Sequence, residues 1–226
     1  MCARIADGLA KLGLGRSMEK KFSSDELPLA ELLGRAECGD LQLPDFQRGW
    51  VWDDEHIRSL LVSISLSYPI GAVMTLVAGN PDVNFKARLL EGVTLAATPP
   101  PDVLLLDGQQ RLTSLFQALK SRTPVYTRDR RGNDLERHYY ANIAACIDPK
   151  VDREENGIVG VPADRVVRSD FGRKIDLDLS TRDREIAAEM FPLDINTRIS
   201  ILTLCGNVAQ AWFMEEPPQA AGCLLQ

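Results

Sequence analysis

The chain has 226 residues, 45% of them hydrophobic and 26% charged, the composition of a folded globular protein rather than a disordered one. Its formal net charge of −6 argues against a dedicated nucleic-acid clamp, which needs an excess of Lys and Arg to neutralise phosphates. Five cysteines without a CxxC pair and two histidines without an HxH or HExxH spacing give no sign of a disulfide framework or a histidine-based metal site, and no apolar run is long enough to span a bilayer.

At the start, Arg4, Asp7 and Lys11 interrupt the apolar residues before Gly15, which is not the solid apolar core of a signal peptide, so the protein is expected in the cytoplasm. Met18, ahead of Glu19-Lys20-Lys21, is a second candidate start, and residues 1–24 are expected to form a poorly ordered leader. Leu29, Leu32, Leu33 and Ala36 then lie on one face of a short helix that Gly39 stops. Leu41 and Leu43 alternate with polar neighbours, as in a strand leading to Pro44. The segment Pro44–Trp52, dense in aromatics and turn-formers, reads as an ordered loop. Asp53 or Asp54 caps the next helix, whose core face is Ile57, Leu60, Leu61 and Ile64, and Tyr68-Pro69 ends it.

A buried strand is expected over Ala72–Val77, and an irregular stretch from Asn80 closes on the stiff Pro99-Pro100-Pro101. The run Val103-Leu104-Leu105-Leu106 fits a strand buried on both faces, broken by Asp107-Gly108. Leu112, Leu115, Phe116 and Leu119 mark the helix that follows. Val125–Arg128 and Leu135–Ile143 flank Arg131-Gly132-Asn133-Asp134 as a hairpin. Ile158–Val161 is a further strand, and Thr181–Met190 a helix with Asp183 and Glu185 at its positive end. Residues 196–226 read as a truncated helical extension, with one helix over Ile199–Met214 interrupted at Gly206.

Chemistry concentrates at Asp107-Gly108-Gln109-Gln110-Arg111. A strand-to-helix turn presents unpaired backbone N–H groups that bind anions. Gly108 lets the backbone approach a ligand, Arg111 offers a bidentate phosphate donor, a glutamine can orient an attacking water, and Asp107 can hold a metal ion or polarise a water. The structural alternative is that Asp107 caps the helix, Gly108 makes the turn, and the glutamines and Arg111 face solvent. The second cluster is Phe46-Gln47-Arg48 with Trp50 and Trp52. Either Arg48 pairs with phosphate and a tryptophan stacks on a base, or the aromatics anchor the loop in the core and Arg48 makes an ion pair. A third group, Arg122, Arg128, Arg130, Arg131 and Arg137, is diluted by Asp129, Asp134 and Glu136 and reads better as a solvated hairpin than as a nucleic-acid contact. His56, near a helix start, is expected at the surface, and Ser63, Ser65 and Ser67 have no base beside them.

The stretch LPDFQRGWVWDDEHIRSLLVSISLSYPIGAV, followed by LLLDGQQRLTSL, closely resembles the N-terminal domain of the GmrSD-type restriction endonucleases, in the ParB/sulfiredoxin-like superfamily. The similarity is strong over Leu27–Leu119 and weaker as far as Phe191-Pro192-Leu193. It implies an α/β (mixed α+β) ParB-like fold, short helices around a small mixed sheet, in a domain over residues 25–195. It also implies nucleoside-triphosphate hydrolysis that senses or regulates modification-dependent DNA restriction in phage defence. On that reading Asp107, Gln109, Gln110 and Arg111 are catalytic, and Gln47, Arg48, Gly108 and Thr113 bind the nucleotide. The cofactor would be Mg²⁺, held in part by Asp107, and the partners a nucleoside triphosphate and DNA. Family members often continue into an HNH-type nuclease. No compact ββα unit with its histidines is found in this sequence, so the nuclease is expected to be separate or missing and DNA cleavage is not expected of this chain alone. The alternatives are a regulatory module that binds nucleotide or DNA without catalysis, and an inactive remnant.

Overall fold

The computed structural model describes residues 27–79 and 85–194. The leader and the helical extension expected from the sequence lie outside them. The first half of the described chain runs α1 (Leu29–Cys38), β1 (Leu41–Pro44), α2 (Asp54–Ser65), β2 (Met74–Val77), β3 (Ala87–Arg88), β4 (Val103–Asp107) and α3 (Gln109–Leu119). Its four strands form one sheet in the order β2-β4-β1-β3. β1 and β4 are parallel, Leu41 facing Val103, while β2 and β3 are antiparallel to their neighbours. The second half runs β5 (Val125–Arg128), β6 (Asp134–Asn142), α4 (Ile143–Ile147), α5 (Arg153–Asn156), β7 (Ile158–Pro162), β8 (Val166–Ser169), β9 (Lys174–Asp178), α6 (Arg182–Ala187) and β10 (Met190–Pro192). Here β6 is the hub, pairing with β5, β7 and β10, and β8 and β9 form a separate ribbon. The mixed α+β architecture expected of a ParB-like domain is the one observed.

The expected apolar faces form the core. Leu32, Leu33 and Ala36 of α1, Ile57, Leu60, Leu61 and Ile64 of α2, and Leu112, Leu115, Phe116 and Leu119 of α3 are all buried. They belong to one cluster with Tyr139, Ala141, Ile158 and Phe191 from the second half, so the two sheets share a core. Asp53 caps α2 by accepting from the His56 N–H at 2.9 Å, and His56 itself is exposed.

Several expectations change. The expected buried strand over Ala72–Val77 is β2, shorter and outermost in its sheet, with Met74 and Val77 exposed. An apolar run shows that a strand forms but not whether a layer covers it. The expected irregular stretch after Asn80 contains β3, which exists only because β1 offers it an edge. Gln42, read as a polar outward residue of β1, is buried and donates through its amide to the Gly39 and Pro99 carbonyls, both at 2.8 Å. α2 stops at Ser65, ahead of Tyr68-Pro69, because Ser67 takes a positive φ of 57°. β6 ends at Asn142, whose side chain caps α4, so Ile143 is helical. α6 is shorter than Thr181–Met190, since Glu189 at φ 53° turns the chain and Met190 enters β10.

Alternation along β6 sends Tyr139 into the main core and His138 and Tyr140 to the opposite face. There a His138 ring nitrogen lies 3.1 Å from Asp194 Oδ2, and the Tyr140 hydroxyl donates to Glu185 Oε1 at 2.9 Å. Arg165 joins both carboxylates, at 3.2 Å from Glu185 and 3.5 Å from Asp194. Burial pushes the Asp194 carboxyl up, but the His138 hydrogen bond and the Arg165 charge outweigh it and hold the group below the usual carboxylate range. A carboxyl depressed in the folded state stabilises the fold above its unfolded pKa and loses that contribution as pH falls. Asp194→Asn should therefore cost roughly 2 kcal/mol at neutral pH, and the gap to the parent protein should close below about pH 4. Urea unfolding of both proteins at a series of pH values measures it, and a gap independent of pH would rule the ionised pair out.

Candidate functional site

The candidate site is the turn from β4 into α3. Gly108 is the helix N-cap residue, at φ 93° and ψ 6°, where a side chain would be strained. No side chain caps the helix, and no acidic residue occupies its first turn. Asp107 is therefore not a cap. Its carboxylate is largely exposed, 3.6 Å from Arg111 Nη2. Among the described residues no side-chain anion is bonded to the first backbone N–H groups of α3, at the positive end of its dipole.

Against this turn lies the loop after β1, and side-chain amides hold it there. Gln47 Nε2 donates to the carbonyls of Leu105 at 2.7 Å and Leu106 at 2.9 Å. From α3, Gln109 Nε2 donates to the Arg48 carbonyl at 2.7 Å. Gln110 donates to the Gly49 carbonyl at 3.2 Å and accepts from the Val51 N–H at 2.9 Å. The Trp50 indole N–H bonds the Ser114 hydroxyl at 2.8 Å. Arg88 and Glu91 brace the loop from outside: Glu91 Oε1 accepts from Arg88 at 2.8 Å and from the Trp50 N–H at 3.3 Å.

Arg111 is turned toward a different loop. Its guanidinium donates to the Ile70 carbonyl at 2.5 Å and the Ala72 carbonyl at 2.9 Å. Gly71 sits between these carbonyls at φ 94°, and a Cβ built on it would land on the guanidinium. Thr113 is fully buried, and among the described residues neither its hydroxyl nor the buried Gln47 Oε1 has a hydrogen-bond partner.

The sequence-predicted residues thus converge, in distinct states. Gln47 is bonded to the end of β4, the Arg48 carbonyl to Gln109, and Gln110 to Gly49 and Val51 farther along the same loop. The three glutamines and Arg111 are engaged with main chain. Arg48 is exposed, and its guanidinium has no partner among the described residues. Trp50 and Trp52 pack against the core, whereas Phe46, grouped with them as a core anchor, is 63% exposed and lies edge to face with Phe85, ring centroids 5.2 Å apart. In the basic hairpin, Arg128 pairs with Asp134 and Arg130 with Glu55, while Asp129 organises the turn by accepting from the Arg131 and Asn133 N–H groups. That is a solvated, ion-paired hairpin. Sequence reasoning missed Arg88, Glu91 and Gly71. Only the glycine gave a signal, in Pro69-Ile70-Gly71. Among the described residues no group of three or more His, Cys, Asp or Glu side chains is arranged to hold a metal. A Mg²⁺ ion held through one carboxylate plus substrate phosphates needs only Asp107.

The model of the GmrSD restriction endonuclease N-terminal domain family matches residues 29–193, a span that contains both motifs. The chain belongs to that family. It is also similar to the uncharacterized protein MJ0686 of Methanocaldococcus jannaschii, with 35% identity over 108 residues. That match covers 45% of this chain and 18% of the relative, so the chain spans less than a fifth of the length of the curated protein it matches. No helix among the described residues of the chain is long and apolar enough to cross a membrane.

If Arg111 serves mainly to bracket the 70–72 loop, Gly71 and Arg111 are energetically coupled. Gly71→Ala should then destabilise the domain by about 2 kcal/mol, from positive-φ strain together with displacement of the guanidinium. In an Arg111→Ala background the same change should cost only the backbone part. A double-mutant cycle read by denaturant unfolding makes the comparison, and strictly additive effects would disprove the bracket.

Proposed function

We propose that this domain binds a nucleoside triphosphate at the β4–α3 turn and hydrolyses it, and that the reaction senses or licenses DNA restriction in phage defence. The observation that carries the reading is the N-terminus of α3, which no side chain among the described residues caps, beside a loop that amide hydrogen bonds fix to the same helix and whose Arg48 guanidinium has no partner among the described residues. An anion at that point gains backbone N–H donors, the helix dipole and the positive charge of Arg48.

In this reading the phosphates lie over Gly108 and the first turn of α3, and Arg48 stabilises the charge that develops on the transferred group. Arg111 shapes the neighbouring loop and adds a second positive charge at the rim. Gln109 and Gln110 are the candidates for orienting water, and either one must first exchange its bond to the Arg48 or Gly49 carbonyl. Asp107 is the residue that would hold Mg²⁺ together with the phosphates, and the ion when bound would neutralise phosphate charge. DNA is the expected macromolecular partner, with cleavage assigned to a nuclease domain other than these residues. A module that binds nucleotide without turnover is the competing reading. The occupied glutamines favour it.

Phosphate release from each of the four ribonucleoside triphosphates with Mg²⁺ tests the proposal. Because the Arg48 side chain makes no hydrogen bond or ion pair among the described residues, Arg48→Ala should lower kcat by about 100-fold and leave the melting temperature unchanged. Folded parent protein that binds nucleotide yet releases no phosphate would establish the binding module instead.

A further inference from the structure

We propose that Phe46, backed by Phe85, is the platform on which the base of the bound nucleotide stacks; this rests on the phosphate site proposed above. The tryptophans of the loop are not free for the role. Both pack against the core, and the Trp50 indole N–H is bonded to Ser114. Phe46 is the aromatic the loop leaves in water, 63% exposed, with Phe85 at 38% beside it. Their rings meet edge to face, 5.2 Å apart at an interplanar angle of 65°, a favoured aromatic geometry. A lone exposed phenylalanine is ordinary. Two in contact, on a backbone that cannot turn them inward, form a surface.

The backbone is pinned on both sides of that surface. The Asp45 N–H donates to the Lys86 carbonyl at 2.9 Å, and Pro44 pairs with Ala87 in the β1–β3 ladder. On the far side, Gln47 is anchored on β4 through its amide, and its N–H donates to the Pro44 carbonyl at 3.2 Å. Phe46 is thus fixed one residue from Gln47 and two from Arg48. Two residues of chain span at most about 7 Å, the scale of the ribose that separates a base from its first phosphate. An exposed ring and a guanidinium without a partner among the described residues, carried two residues apart on one pinned backbone, offer contacts for the two ends of a single nucleotide. Stacking on phenylalanine also accepts any base, because every base offers a π-face. The site should therefore hold nucleoside triphosphates in general, with purines preferred for their larger area.

The test compares binding of ATP and of inorganic tripolyphosphate, each with Mg²⁺, by calorimetry on the parent chain, Phe46→Ala and Phe46→Tyr. Stacking predicts that the parent binds ATP about tenfold more tightly than tripolyphosphate. Phe46→Ala should erase that preference without weakening tripolyphosphate, and Phe46→Tyr should restore it. Preserved preference in Phe46→Ala, or equal weakening of both ligands, would overturn the platform. Equal binding of both ligands by the parent would overturn it too, while leaving the phosphate site standing. A parent protein that binds neither would overturn the phosphate site along with it.

Discussion

Side-chain amides replace secondary structure where the loop after β1 crosses the β4–α3 turn. A loop running this close to a core carries carbonyls that are costly to leave unpaired. Gln109 and Gln110 supply donors to the carbonyls of Arg48 and Gly49, and Gln47 reaches back to Leu105 and Leu106. Amides suit the task because each both donates and accepts without carrying charge. A lysine or arginine at these positions would bring a charge that must be desolvated, and an apolar residue would leave the carbonyls orphaned. Segments about sixty residues apart in sequence are thereby locked together, and everything else at the site is placed by that lock.

One consequence is a division between residues that build the turn and residues that face outward from it. Within Asp107–Arg111, the glutamines and the arginine are turned toward main chain, Arg111 onto the carbonyls on either side of Gly71. What remains for a ligand is the main chain of Gly108 and the first turn of α3, the Asp107 carboxylate, and Arg48 contributed by the other loop. Charge readiness and shape are thus supplied by different residues. A substitution in the builders acts through geometry and one in Arg48 through charge, so stability measurements separate the two.

What was legible in the sequence follows the same line. α1, α2 and α3 announced themselves through apolar residues three and four apart, and the hairpin through its Gly-Asn-Asp turn, because those signals are local. β3 and β10 were not legible, since each exists only by pairing with a strand far away in the chain. β2 was legible as a strand but not as an exposed edge, because burial depends on what lies above it. At the site, residue identity was legible and orientation was not. No spacing rule says that Arg111 turns to Ile70 and Ala72, or that Trp50 turns to Ser114 while Phe46 turns to water. Those choices are made by which carbonyl or hydroxyl the other loop happens to offer.

The second sheet is part of the same construction. Thr127 of β5 donates to the Trp52 carbonyl at 2.8 Å, and the Tyr139 hydroxyl of β6 donates to Asp54 at 3.0 Å. Burial, together with the Asp54 carboxylate, pushes the Tyr139 hydroxyl pKa up, so it remains a protonated donor throughout the working pH range. Arg58 of α2 adds a bond to the Ile158 carbonyl of β7 at 3.1 Å. The loop that carries Phe46 and Arg48 is therefore tied at its near end to β4 and α3 and at its far end, through Trp52 and Asp54, to β5 and β6. Since Tyr139 and Tyr140 alternate across β6, the strand that meets Asp54 on one face meets Glu185 on the other. A shift of β6 against its neighbours would be felt at the loop through Asp54. Those bonds join the second half of the domain to the loop of the candidate site without contributing a residue to it.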